Sequence, residues 1–152
     1  MRTLVVLVAT VGGVGYAPVA SGTFGSLVAM PLLPLLAGLR AQSIVGYAIA
    51  VVGIVALSIW AAGRAEAVFG GKDHSYIVVD EVAGLVVTGM FVPGTWLATV
   101  LAFVLFRLFD VVKPFPANVF DQRVRGGVGV VGDDLIAGIY AGLGARLVLR
   151  WL

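Results

Sequence analysis

The chain has 152 residues, 61% of them hydrophobic and 12% charged, with a mean hydropathy of +1.09. Soluble domains run at about 45–50% apolar and about 25% charged, so this composition predicts an integral membrane protein. A formal charge of +2 without a basic run argues against nucleic acid as a partner, and the absence of Cys with His74 as the sole imidazole excludes disulfides, thiolate catalysis and a multi-histidine zinc site.

The opening "MRTLVVLVATVGG" has the Arg-then-apolar pattern of a signal peptide. No small-x-small cleavage site precedes a polar region, and the apolar character continues, so residues 1–14 read as a short membrane or re-entrant segment. "GYAPVASGTFGS" (15–26) follows, a Gly/Ser/Thr loop just before an apolar helix. Such a loop suits phosphate, with hydroxyls from Ser21, Thr23 and Ser26, although an ordinary capped turn explains it better. It is not a P-loop, because no Gly-Lys-Ser/Thr follows.

Four longer apolar stretches then predict about four spanning helices. Phe24 to Leu39 carries Pro31 and Pro34, which should kink it. Ile44 to Gly63 is a charge-free run of the length a bilayer demands. Val82 to Val92 is too short to cross about 30 Å alone and reads either as a half-helix or as a segment joined through a bend to the "YIVV" before it, turned back by "PGT" at 93–95. Trp96 to Val112 is the third stretch and Leu135 to Leu152 the fourth, rich in Gly and Ala that let helices pack closely in lipid. The fold expected is all-α, a multihelical integral membrane protein with short or re-entrant segments besides its spans, forming one membrane-embedded domain over 1–152.

On this map Arg64, Lys72, Arg107, Lys113, Arg123 and Arg125 share one side with Asp80, Glu81, Asp110, Asp121, Asp133 and Asp134, while Arg40, Arg146 and Arg150 fall towards the other. The positive-inside rule makes the first side cytoplasmic.

Chemistry gathers on that side. "VVDEVAGLVVTG" (78–89) and "VGDDLIAGIYAGLG" (131–144) each pair two acids ahead of a small-residue helix. Helix capping alone would account for either pair. Two pairs together with Asp110 exceed what capping needs, and five carboxylates converging at one depth repel unless a cation lies between them. All-oxygen ligation suits Mg²⁺, or Mn²⁺ in its place. "LFRLFDVVKPFP" (105–116) spaces Arg107, Asp110 and Lys113 as neighbours on a helix face, and Pro114 and Pro116 should end that helix just beyond Lys113. Guanidinium groups match phosphate oxygens, and ionisable residues in an apolar helix default to function; snorkelling to headgroups is the competing account for Arg123 and Arg125. "GGKDHS" (70–75) places Lys72, Asp73 and His74 in a polar loop ahead of Asp80, where His74 is either incidental or catalytic. Acids for Mg²⁺, cations for phosphate and a membrane address together suggest phosphoryl chemistry on a lipid.

Through "PVASGTFGSL", "DHSYIVVDEVAG", "FRLFDVVKPFP" and "FDQRVRGGVGVVGDDLIAG", co-linear from about Gly15 to Gly142, the chain resembles the phosphatidylglycerophosphatase A family. The resemblance implies a bacterial, Mg²⁺-dependent, mostly helical enzyme of the cytoplasmic membrane, multi-pass and with its site facing the cytoplasm. It would remove the terminal phosphate of phosphatidylglycerol phosphate. Carried over, Asp80, Glu81, Asp110, Asp133 and Asp134 become metal ligands or water activators. Arg107, Lys113 and Arg123 become phosphate contacts, Thr23 and Ser26 substrate contacts, and His74 a catalytic candidate. Arg125 stands where the family commonly has His, which speaks against an obligatory proton transfer there. The partners implied are the phospholipid substrate and the membrane, with a homo-oligomer left open. The rival readings are a lipid-headgroup phosphotransferase, whose "DGxxAR" signature has no match here, a transporter or channel subunit, which would spread charge through the membrane depth, and a structural membrane partner without chemistry, which leaves the five acids unexplained.

Overall fold

A computed structural model describes residues 1–71 and 74–151; Lys72 and Asp73, and the terminal Leu152, lie outside the described residues. Among these residues the chain forms α-helices and one 3-10 turn, with no strand. The helices are α1 (Arg2–Ala9), α2 (Ser21–Ala29), α3 (Leu32–Gln42), α4 (Ile44–Phe69), α5 (Val79–Gly89), α6 (Trp96–Val112), α7 (Ala117–Arg123) and α8 (Gly127–Val148), and the 3-10 turn is Val14–Tyr16.

Three segments are long and apolar enough to cross a membrane: Ser21–Gln42, Ile44–Phe69 and Gly127–Val148. Ser21–Gln42 is α2 and α3 together, parted at Met30–Pro31. Pro31 precedes α3 and Pro34 falls in its first turn, where a missing N–H costs nothing. α4 opens on Ser43, whose Oγ accepts from the Gly46 N–H at 3.0 Å, and closes on left-handed Gly70. α6 has 17 residues and spans about 25 Å, just short of the hydrocarbon core. Thr95 Oγ1 caps it from Ala98 N at 3.3 Å, and Lys113 ends it in a left-handed conformation ahead of Pro114, as the proline spacing predicts. α5, with 11 residues, is the half-helix expected from its length. α1 buries Val5 and Ala9 against α4 and α5 while Leu4 and Leu7 face outward.

Several boundaries differ from the sequence reading: α4 runs on past Gly63 to Phe69, and α5 starts and ends three residues ahead of Val82 to Val92. α2 begins at Ser21, so the Gly/Ser/Thr stretch is the first two turns of a helix rather than a loop ahead of one. α8 begins at Gly127, eight residues before Leu135, because its glycines lie against neighbouring elements rather than in water.

α8 is the hub of the bundle. In its apolar window 61% of residues are buried, against 22% for each of the other two spans. Its inward face is made of small residues, Ala137, Gly138, Ala141, Gly142 and Ala145. In lipid no hydrophobic force drives helices together, so close backbone approach must supply the packing. The α5–α8 crossing shows this: a Cβ on Gly138 would run into the Gly84 carbonyl, and one on Gly84 would stand 2.8 Å from the Asp134 carbonyl. α5 and α8 run parallel from the end that carries Asp80 and Asp133, and α6 returns to that end antiparallel.

Candidate active site

Asp80 and Glu81 occupy the first turn of α5, where carboxylates favour the positive helix end. Neither caps it, since the cap position is Val78. Asp133 and Asp134 lie two turns inside α8, so capping does not account for them at all. Three of these acids stand in apolar surroundings, with Asp80, Asp133 and Asp134 only 6%, 5% and 4% exposed. Buried carboxylates demand partners of opposite charge.

The crossing at Gly84 and Gly138 brings Asp80, Glu81 and Asp134 together, each offering an oxygen within 4.8 Å of the others. Asp110 reaches in from α6 to hydrogen-bond distance of Asp134. Its other neighbour is Arg107, one turn back, whose Nη1 donates to Asp110 Oδ2 and lies 3.8 Å from Glu81 Oε1. Glu81 Oε2 is buried and accepts no hydrogen bond from the described residues. A buried carboxylate oxygen beside two further carboxylates is a donor set that fits a hard divalent cation, and Asp80, Glu81 and Asp134 could hold one.

Asp133, next in sequence to Asp134, points elsewhere. Its Oδ2 accepts from Lys113 Nζ at 2.6 Å, and the same ammonium lies 3.1 Å from Asp121 Oδ1 on α7. Burial works against the Lys113 charge, but the hydrogen bonds and charges of Asp133 and Asp121 outweigh it and hold its pKa above the ordinary lysine value. Among the described residues, six carboxylates thus gather around Arg107 and Lys113.

α2 closes one wall. Gly22 packs so tightly on the site that an added Cβ would collide with Glu81 Oε1 and stand 3.2 Å from Arg107 Nη1. Ser26 is fully buried, its hydroxyl donating to the Gly22 carbonyl at 2.9 Å, which occupies the donor expected for substrate. Thr23 is half-buried on the same turn. His74 is absent from the carboxylate cluster; its ring packs 4.6 Å from Tyr76 and 5.3 Å from Phe69, and its Nδ1 accepts from Tyr76 N. Arg123 ends α7 on the exposed surface. Asp121 is the residue that sequence reasoning left outside the site, although it stands in the same "FDQRVRGG" motif as Arg123.

The profile of "PgpA: Phosphatidylglycerophosphatase A" matches residues 7–149. The chain belongs to the phosphatidylglycerophosphatase A family. It is 35% identical over 128 residues to phosphatidylglycerophosphatase A of Escherichia coli K12, covering 84% of this chain and 73% of that protein. It is 33% identical over 141 residues to phosphatidylglycerophosphatase A of Haemophilus influenzae, covering 92% and 85%. A Bacteroides thetaiotaomicron protein provisionally named phosphatidylinositol-3-phosphatase is 38% identical over 159 residues, covering 98% and 95%. No solved structure gives a significant match. As a member of the phosphatidylglycerophosphatase A family the chain is an enzyme of the phosphatase class.

Proposed function

We propose that the chain hydrolyses the terminal phosphate of phosphatidylglycerol phosphate, with Mg²⁺ held by Asp80, Glu81 and Asp134, at the cytoplasmic face of a bacterial inner membrane. The observation that carries this is the convergence of three carboxylates from α5 and α8 with Asp110 and Arg107 of α6 beside them. The names of the family relatives agree with it.

Bound there, Mg²⁺ would supply Lewis-acid polarisation of the phosphoryl group and a lowered pKa for water. The chain's own residues would do the rest. Arg107 has five N–H donors and spends few of them on Asp110 and Glu81, leaving its fork for phosphate oxygens. Lys113 has a third donor beyond those directed at Asp133 and Asp121. Asp110, against Asp134 at the edge of the cluster, is placed to take the proton of the attacking water. As the water oxygen bonds to phosphorus, the P–O bond to the glycerol headgroup breaks and the departing oxygen takes up the proton held by Asp110, releasing phosphate and phosphatidylglycerol. Arg64, Arg107, Lys113, Arg123 and Arg125 lie at this end of the bundle, which supports its cytoplasmic orientation.

The experiment is phosphate release by purified protein from phosphatidylglycerol phosphate in detergent micelles, with Mg²⁺ and with EDTA. Release that requires Mg²⁺ is the expected result; none from folded protein in either condition would reject the substrate. The Bacteroides relative supports a second reading, a phosphatidylinositol 3-phosphate monoester at the same site. Parallel assay of that lipid separates the two.

A further inference from the structure

We propose that the opposite end of the bundle carries a second, separate anion site, in which Arg40, Arg146 and Arg150 hold the phosphate of an anionic phospholipid from the adjoining leaflet. α3 and α8 both run away from the carboxylates, so their last turns deliver Arg40 and Arg146 to the far end, with Arg150 just past α8. All three line one open cavity of about 470 Å³, whose other wall is the turn after α5, including Phe91 and Pro93, together with Leu149. Among the described residues no carboxylate side chain lines it. The described acids lie on α5, α6, α7, α8 and the last turns of α4, at the end where the catalytic carboxylates gather.

Basic residues at helix C-termini are common, because they satisfy free carbonyls and complement the dipole. That accounts for Arg40, whose Nη1 donates to the Met90 carbonyl at 3.1 Å and whose guanidinium carbon stands 5.7 Å over the Tyr47 ring. The same two contacts hold Arg40 in place at the cavity. They do not account for three guanidiniums around one space, where like charges repel unless an anion sits between them. Snorkelling would send the side chains apart to different headgroups. Topology offers no reason either, since positive charge is favoured at the other end.

The ligand chemistry follows from depth and lining. Where spanning helices end, the cavity is level with lipid headgroups. Guanidinium forks match phosphate oxygens in pairs, and basic pockets between spanning helices take anionic headgroups. Free phosphate would satisfy the forks and leave the wall of Phe91, Pro93 and Leu149 unused; a phospholipid uses both.

Trp151, fully outward beside Arg150, is a local reporter. In full-length protein carrying Trp60→Phe and Trp96→Phe, reconstituted in phosphatidylcholine vesicles, its fluorescence is quenched by added lipid with brominated acyl chains. Brominated phosphatidylglycerol should quench at much lower mole fraction than brominated phosphatidylcholine, by about fivefold for each arginine engaged. Arg146→Gln with Arg150→Gln, both exposed and neither in the catalytic cluster, should cut the preference by about 25-fold, leaving only the share of Arg40, while phosphate release persists. Inorganic phosphate should fail to relieve quenching. Equal quenching by the two lipids, a preference undiminished by the double substitution, or full relief by inorganic phosphate would each overturn the proposal.

Discussion

Lys113 Nζ lies 2.6 Å from Asp133 Oδ2, joining the residue that caps the end of α6 to a carboxylate two turns inside α8. Asp133 is 5% exposed, so removing the ammonium leaves a charge in apolar surroundings, whereas removing both partners does not. Lys113→Met should therefore destabilise the protein by about 2 kcal/mol, and Lys113→Met with Asp133→Asn by clearly less than the sum of the single changes. Thermal unfolding of the four proteins in detergent measures the coupling, and strict additivity would show that the pair carries none. The pKa of Lys113 is raised, so its contribution is complete below the ordinary lysine value and is lost only as pH rises through the raised one. Across the neutral range the coupling should not change with pH.

Asp110→Asn and Asp134→Asn remove charge from the cluster at nearly constant shape. Loss of a group that binds the cation or moves the proton should cost about 10²-fold or more in turnover, with membrane insertion unaffected. Mg²⁺ should also raise the melting temperature of the parent protein, by an amount equivalent to about 2.7 kcal/mol at a hundredfold excess over Kd. The shift should vanish with Asp134→Asn. A shift that persists would move the cation away from Asp80, Glu81 and Asp134.

Gly22→Ala tests the wall formed by α2. Its new methyl group would occupy the place of Glu81 Oε1, so Glu81 or Arg107 must move. Activity should fall at least tenfold with little loss of helix content, which circular dichroism and the phosphate assay report together. Gly53→Ala is the control, since nothing lies within 4 Å of its added Cβ, and helix propensity should make it neutral or stabilising by up to about 1 kcal/mol. Equal activity in the two variants would place Gly22 outside the working site.

Orientation is testable because the chain has no cysteine of its own. Arg125→Cys lies at the carboxylate end and Trp151→Cys at the other, both exposed. In intact spheroplasts a membrane-impermeant maleimide should label Trp151→Cys and leave Arg125→Cys unlabelled until the membrane is opened. The reverse pattern would turn the site to the outside.

Much of the helical layout was legible beforehand. Trp96 to Val112 emerges from the sequence with the bounds that α6 has, because Thr95 caps one end and Pro114 forbids continuation at the other. Val82 to Val92 reads as a half-helix because 11 residues cannot cross a bilayer. Gly127, Gly129 and Gly132 misled in proportion to their usual meaning: glycine breaks helices in water, but here each abuts a neighbour, at Ile59, Val124 and Phe120. Ser26 shows what a sequence cannot display, since its hydroxyl donates to the Gly22 carbonyl within its own helix.

By itself the sequence determined the apolar helices long enough to cross a membrane, and it named most of the acids and cations that the fold gathers. These rest on local free energies, the transfer of apolar windows into lipid and the hydrogen bonding of a chain within its own turn, which any stretch of about 20 residues displays. Tertiary structure alone decided which acids meet. Asp133 and Asp134 are neighbours in the chain, yet successive helix residues point about 100° apart. One therefore turns to Lys113 and the other to Asp80 and Glu81, some fifty residues away. That choice is made where α5 and α8 cross at Gly84 and Gly138, a contact between backbones whose partners no local window contains.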